Sequence, residues 1–401
     1  MKRLTLSEGQ RAYLDVLRGA AAMVVLLGHG SMLFLNDGLL RQTRVQSVGV
    51  LVFFLLSGFL ISHSAFNKSS DADYTFGHYF IDRAARIYTA FLPALFFVWL
   101  IDLQSLKLLP APISAERLKQ LTWIDNLPRN VNVTTWFGNL FMLQDFPLFQ
   151  LARRAGVSER SWFIDEFGSG SPFWTISIEW WLYITFGLVV LVHQRRHKPW
   201  TVLQLVVLGL VAIEPAYYLI GGVDNCLTLL WLIGMAACWW YGRRASQGRT
   251  PFNSQAPNVW YYLVLAAAAV FCMAGRILAV HFERRSSDYI DLQFGVFLAT
   301  AVFALLFALE RVQRVPKWLA SASGFLAGYS YSLYLTHASL LTYIYLRYPG
   351  RDNDPKLFWY SAAASNILAI GFWWLFERHY PVVNRWLKAL VFGPRTTKQS
   401  A

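Results

Sequence analysis

Long apolar stretches separated by short polar connections are the dominant pattern of this 401-residue chain. A bilayer core about 30 Å thick is crossed by a helix of roughly 17–25 apolar residues. Segments that approach this length are 13–35, 47–65, 84–102, 173–192, 201–220, 226–241, 260–280, 290–309, 323–346 and 357–376. The pattern therefore predicts an all-α, polytopic transmembrane helical bundle with about ten spans.

Basic residues cluster in every second connection between these segments, as Lys and Arg do in cytoplasmic loops. With the N-terminus inside, the cytoplasmic connections contain Lys68, Arg83 and Arg86; Arg195, Arg196 and Lys198; Arg243, Arg244 and Arg249; and Arg311, Arg314 and Lys317. This distribution predicts an even number of spans and places both termini in the cytoplasm.

The composition excludes other classes of protein. Hydrophobic residues make up 56% of the chain and charged residues 15%, against about 25% charged residues in soluble domains. The net charge of +13 comes without a long Lys/Arg tract, so we expect no nucleic-acid partner. Cys226, Cys238 and Cys272 lie in apolar stretches at no metal-ligand spacing, so we expect no metal site.

The predicted bundle forms one domain over residues 1–393, followed by a disordered cytoplasmic tail at 394–401. A long extracytoplasmic segment, 103–172, is rich in aromatic residues such as Trp123 and Trp136. Aromatic faces beside its carboxylates and amides suit a sugar. An interfacial cap with its aromatic rings at headgroup depth is the alternative interpretation, and the two are compatible.

Two ionisable residues share a face of the first predicted helix. Arg18 and His29 are eleven residues apart, which brings them to within about 20° of each other and about 16 Å apart along the axis. Ionisable groups in a membrane are costly and are therefore functional candidates. A cation near the cytoplasmic mouth and a deeper imidazole suit an anionic ligand. The alternative is a snorkelling arginine and a histidine bonded to a neighbouring helix.

Further polar residues extend this pattern. Arg83 and Arg86 are three apart at the cytoplasmic start of the third span, where paired arginines can bind phosphates or simply anchor the helix by the positive-inside rule. Counted along their helices, His29, Glu179 and His337 all lie at about two-thirds depth from the cytoplasm.

These residues fall in six motifs that occur in a fixed order: Arg18-x10-His29, Phe54–Ile61, Arg83-x-x-Arg86, Trp174–Glu179, Ser330–His337 and Glu377-Arg378. With this order on a ten-span frame, the chain resembles the acyltransferase-3 family of bacterial inner-membrane O-acyltransferases over residues 11 to 385. It is similar to the stand-alone members, which have no appended esterase-like domain. One departure is Thr175, where the family usually has serine.

The resemblance implies transfer of an acyl group, usually acetyl, from cytoplasmic acyl-CoA to a hydroxyl of a glycan, a lipid-linked saccharide or a small lipophilic compound. Arg18, Arg83 and Arg86 are expected to hold the phosphates of CoA. Desolvation favours the neutral imidazole, so His29 is assigned as general base or transient acyl carrier. Glu179 and His337 are expected to orient the acceptor hydroxyl or His29.

Two other classes of function are weaker. A transporter or flippase for an anionic or glycolipid substrate also uses intramembrane ionisable groups, but transporters commonly contain internal repeats, and none is evident here. A scaffolding membrane protein leaves the deep ionisable residues without a role.

The topology makes a direct prediction. Single cysteines placed at 195–198 and at 243–249 should be labelled from the cytoplasmic side, and cysteines in 103–172 from the opposite side. Labelling of 195–198 from outside would contradict the assigned sidedness of every candidate residue.

Overall fold

The computed structural model describes residues 4–35, 45–71, 73–109, 113, 121–156, 163–192, 201–219, 226–246, 259–282, 292–351 and 353–393. Within these ranges every regular element is a helix. The basic residues at 195–198, Arg249 and the predicted tail at 394–401 lie outside the described residues, as do 110–112, 114–120 and 157–162 of the long predicted loop.

Helices of ten or more residues form the bundle, together with one helix of five residues. In chain order they are α1 (Glu8–Phe34), α2 (Val45–Lys68), α3 (Phe76–Leu108), then, after four short helices, α8 (Phe173–Gly187, continued by a π-turn Leu188–Val192), α9 (Val202–Val211), α10 (Ile213–Tyr217), α11 (Leu227–Ser246), α12 (Val259–Phe282), α13 (Leu292–Ala308), α14 (Lys317–Arg347), α15 (Pro355–Leu375) and α16 (Tyr380–Phe392). The four short helices, α4 (Thr122–Asp125), α5 (Leu127–Asn130), α6 (Val133–Leu140) and α7 (Pro147–Arg154), lie in the predicted extracytoplasmic segment.

Part of the bundle consists of helices that could cross a membrane. Six helices of the described chain are long and apolar enough to cross a membrane: Glu8–Phe34, Val45–Lys68, Phe76–Leu108, Phe173–Leu191, Val259–Ala279 and Leu292–Arg311. The remaining predicted segments are also helical, and the count of ten stays a prediction. Because α3 continues to Leu108, the long loop begins later than the predicted residue 103.

The predicted segment 201–220 is broken between α9 and α10. Pro215 has no N–H, so it cannot donate to the carbonyl of Val211 four residues earlier. The hydroxyl of Thr185 donates to that carbonyl instead, at 3.0 Å. The helix therefore ends where the proline removes its hydrogen bond, and a side chain from α8 replaces the missing donor.

Helix α1 begins at a capping box. The Ser7 hydroxyl accepts from the Gln10 N–H at 3.1 Å, and the Ser7 N–H donates to the Gln10 side chain at 3.0 Å. These bonds satisfy N–H groups that have no partner within the helix. Beyond Arg18 the helix is mainly apolar, and Val25 and Leu26 are fully buried.

Helices α1 and α14 pack closely and run parallel. A Cβ atom at Gly19 would lie 2.8 Å from the Leu326 side chain, so the missing side chain permits the approach. About three turns further along α1, His29 contacts His337. The contacts advance in the same direction along both helices, which sets the register of the candidate site.

Both ends of the described chain lie at the same end of the bundle. The Leu4 N–H donates to Asn67 at the end of α2, at 2.8 Å. The ammonium group of Lys388, in the last helix, pairs with Asp82 at the start of α3, which also pairs with the neighbouring Lys68. This arrangement agrees with an even number of crossings.

Glycines also allow α2 and α11 to cross. A Cβ atom at Gly58 would overlap the carbonyl oxygen of Trp231, and one at Gly234 would overlap the carbonyl oxygen of Leu55. The crossing brings the indole N–H of Trp231 to 3.1 Å from the Ser57 hydroxyl.

We therefore expect Gly58→Ala to lower the stability of the bundle by about 1–3 kcal/mol, because the backbones must separate. Thermal unfolding in detergent would measure the loss. Gly371→Ala is the matched control, since open space surrounds Gly371. Equal melting temperatures for the two variants would show that the crossing at Gly58 is not close.

Candidate active site

A cavity of about 930 Å³ opens within the bundle. Four predicted site residues line it, namely Arg18, Arg83, Arg86 and Glu179. Seven basic and four acidic side chains contribute to its wall, so the cavity carries a net positive charge when all are ionised. Such a charge suits an anionic ligand.

The cavity is elongated. Along α2 its lining extends from Lys68 to Val50, a separation of 18 residues and about 27 Å of helix axis. Lys68 lies at the end of the bundle that carries both chain ends, and Val50 lies deep within it. The cavity can therefore accept a long, thin ligand end-on.

Arg86 and Glu377 form an ion pair in the wall of the cavity. Arg86 Nη1 lies 2.9 Å from Glu377 Oε1, and the other carboxylate oxygen accepts from the N–H and the hydroxyl of Ser332 at 3.0 and 2.7 Å. The guanidinium also lies 5.0 Å from the centre of the Tyr380 ring. Arg86 is thus fixed in place and its charge is balanced.

Arg18 and Arg83 are less committed to protein partners. In the described part of the chain no hydrogen bond or ion pair reaches Arg18, although Asp15 and Glu377 are near enough to attract its charge. The Nε atom of Arg83 is buried without a hydrogen-bond partner among the described residues. The sequence treats Arg83 and Arg86 as an equivalent pair, whereas the structure separates a partly free arginine from a paired one.

A directed chain of hydrogen bonds ends on Glu179. The Tyr183 hydroxyl donates to Glu179 Oε2 at 3.0 Å, and it lies 2.8 Å from the Ser57 hydroxyl. Because Tyr183 uses its proton on Glu179, Ser57 must donate to Tyr183, and Ser57 in turn accepts from Trp231. Neutral donors therefore hold this carboxyl group on the cavity wall.

Tyr334 connects the cavity to the predicted histidines. Its hydroxyl lies 2.6 Å from that of Thr175, which donates to the carbonyl of Pro172, so Tyr334 is the donor. Its ring is 5.4 Å from that of Phe53 and 6.1 Å from that of His337, measured between ring centres. Phe53, Tyr334 and Thr175 line the cavity, while the two histidines lie beyond this wall.

His29 and His337 form a hydrogen-bonded pair. His29 Nδ1 lies 2.9 Å from His337 Nε2, and the rings stack with centres 5.1 Å apart. His337 is fully buried and His29 is half-buried. The indole ring of Trp123, from the predicted extracytoplasmic segment, meets His29 edge-on at 6.4 Å.

The hydrogen bonds assign the proton positions of the neutral pair. His337 Nδ1 lies 2.9 Å from the carbonyl oxygen of Leu333, which can only accept, so Nδ1 carries the proton. His337 Nε2 is then an acceptor, and His29 must donate to it through Nδ1. The lone pair of His29 therefore remains on Nε2, which no described residue engages.

The long aromatic segment uses some of its polar groups internally. The Gln144 side chain is fully buried and donates to the carbonyl of Phe173 at 2.9 Å. Burial, together with the nearby Asp145, raises the pKa of Glu166 well above its usual range. Phe137 and Phe141 remain exposed. Of these described residues, the aromatic rings remain exposed and the Gln144 amide does not.

The sequence interpretation omits several of these residues. Tyr183 follows Glu179 by four positions and Tyr334 precedes His337 by three, spacings that place side chains on one helical face. Those spacings could have identified both tyrosines. The hydrogen bond from Trp231 to Ser57 has no comparable indication in the sequence, because it joins helices that are distant along the chain.

Comparison with known proteins identifies the family of the chain. The model of the acyltransferase-3 family, described as an acyltransferase domain, matches residues 11–378. No curated protein and no solved structure matches the chain. The family match includes all six predicted site residues and covers nearly the whole chain, so this protein belongs to the acyltransferase-3 family.

Proposed function

We propose that this membrane acyltransferase moves an acyl group, most often acetyl, from cytoplasmic acyl-CoA to a hydroxyl of a glycan or lipid-linked saccharide. The observation that carries the proposal is the free lone pair on His29 Nε2, close to the inner wall of a long basic cavity. The cavity suits the anionic donor, and the lone pair suits the proton of the acceptor.

The donor enters the cavity with its acyl end first. Arg18 and Arg83 bind the phosphates, for which guanidinium groups without a hydrogen bond or ion pair to any described residue are suited. Arg86, balanced by Glu377, keeps the wall in place. The pantetheine arm contains amide N–H groups, and one of them donates a hydrogen bond to the Glu179 carboxyl group on the wall. Phe53 and Tyr334 separate to let the thioester reach His29.

Transfer follows from the proton positions of the pair. His29 Nε2 removes the proton of the acceptor hydroxyl while its oxygen attacks the thioester carbonyl. The C–S bond breaks, an ester forms, and the proton passes from His29 to the departing thiolate of CoA. His337 Nε2 accepts from the imidazolium that forms on His29 and so stabilises its charge. An acyl group carried on His29 Nε2 is the alternative route through the same atom.

The acceptor approaches from the opposite side of the membrane. Trp123 lies beside His29 and offers a flat apolar face on which a sugar ring can stack. The indole N–H of Trp123 is held by Thr342 at 3.1 Å, which fixes the ring. The acceptor that we propose belongs to the cell envelope of a bacterium, with the protein in the inner membrane.

We expect His29→Ala to lower the rate of transfer by about 10²–10⁴-fold, because the proton acceptor is lost. Binding of CoA should persist, since the arginines remain. Transfer of label from acyl-CoA to endogenous acceptors in membranes measures the rate, and isothermal titration with CoA measures binding.

His63→Ala serves as the matched control, because His63 contacts the carbonyl of Leu4 and lies outside the cavity wall. Near wild-type transfer by a correctly inserted His29→Ala protein would exclude His29 as base or carrier. Label that becomes attached to wild-type protein, but not to the variant, in the absence of acceptor would identify the covalent route.

Glu179→Gln should weaken donor binding by about tenfold, because a charged acceptor of hydrogen bonds becomes a neutral one. Titration with acyl-CoA measures the change. Glu310→Gln removes another buried carboxyl group, one that does not line the cavity, and should leave binding unchanged. Equal affinities for the two variants would reduce Glu179 to a packing role.

A further inference from the structure

The last helix, α16, lies beyond the residues that the family model matches, yet it forms part of the cavity wall. The match ends at residue 378, and α16 begins at Tyr380. Its lining residues include Pro381, Asn384, Arg385 and Lys388. Their spacing of three, four and seven residues places them on one helical face. A segment outside the family match therefore contributes to the donor cavity.

A buried carboxylate fixes this face in position. Asp82, at the start of α3, is 2% exposed and accepts from the ammonium groups of Lys388 and Lys68, from the Asn384 amide and from the Tyr74 hydroxyl. Two ammonium groups share one carboxylate, so the cluster keeps a positive charge. The last helix is thus held against α3 by side chains that also line the cavity.

The opposite face of α16 is apolar and exposed. Val382, Trp386 and Leu390 recur every four residues and are more than half exposed. This distribution is typical of an amphipathic helix that lies in the plane of the membrane interface. Its polar face is then held at the level where a water-soluble donor arrives.

Arg385 and Lys388 lie at the outer end of the cavity. They share that end with Lys68, whereas Arg18 and Arg86 lie close enough to each other to interact deeper in the wall. Arg83, which is proposed with Arg18 to bind the diphosphate, lies one turn of α3 before Arg86. Arg385 is exposed and no described residue pairs with it. The cavity therefore has two basic regions, one at the mouth and one further in.

CoA also has two separated anionic groups. Its diphosphate adjoins the pantetheine arm, and its 3′-phosphate is on the ribose at the far end of the molecule. When the acyl end enters first, the diphosphate reaches the inner basic region and the 3′-phosphate stays at the mouth. The order of charges along the ligand matches the order along the cavity.

We propose that α16 forms the binding site for the 3′-phosphate of CoA, with Arg385 and Lys388 contacting the phosphate and Asp82 acting as a positioning residue. This inference rests on the proposed use of acyl-CoA. Arginine binds phosphate through two N–H groups, and Lys388 is oriented toward the cavity by its ion pair with Asp82.

The test compares CoA with 3′-dephospho-CoA, which differs only in the phosphate at issue. Isothermal titration of the full chain in detergent should give about tenfold tighter binding of CoA. Arg385→Ala and Lys388→Gln should each weaken CoA binding several-fold and leave 3′-dephospho-CoA binding nearly unchanged. The ratio of the two affinities should therefore be smaller in each variant than in the wild-type protein. Arg314→Ala is the matched control, since Arg314 is exposed and does not line the cavity.

Arg385 has no contact with Asp82 among the described residues, so its substitution keeps the clamp that holds α16. Wild-type protein that binds CoA and 3′-dephospho-CoA equally, or an Arg385→Ala variant with the full preference, would overturn the role of α16 and leave the proposed acyl transfer standing. Wild-type protein that binds neither ligand would overturn both.

Discussion

The hydrogen bond between His29 and His337 is the interaction on which the site depends. It exists because α1 and α14 run parallel and approach closely, with Gly19 packed on Leu326 about 15 Å away along α1. The carbonyl of Leu333 fixes the proton on His337, and His337 then fixes the proton on His29. Helix packing thereby determines which nitrogen of His29 can act as a base.

The charged side chains and the histidine pair occupy separate parts of the bundle. The cavity holds ionised groups, among them the ion pair of Arg86 with Glu377, and Arg18, which has no ion pair with any described residue. The histidine pair lies beyond the wall formed by Phe53 and Tyr334. Burial behind this wall favours a neutral imidazole, while the arginines of the cavity attract the donor. A single site can therefore bind an anion and still provide a base.

Much of the fold and part of the site could be predicted from the sequence. Each predicted apolar segment coincides with helical structure, and the isolated ionisable residues do lie on or beside one internal site. The shared face of Arg18 and His29 follows from helical periodicity alone. The partner of His29 does not, because it lies 308 residues away and depends on the register between two helices. The pairing of Arg86 with Glu377 escapes prediction for the same reason.

A double-mutant cycle on the histidine pair tests the central claim most directly. If His337 acts only by orienting His29 and stabilising its charge, then His337→Ala should slow transfer in the presence of His29 and have little further effect in a His29→Ala background. The rate of label transfer by the double variant should therefore equal that of His29→Ala alone. Losses that multiply in the double variant would show that the two histidines act independently, and would contradict the account.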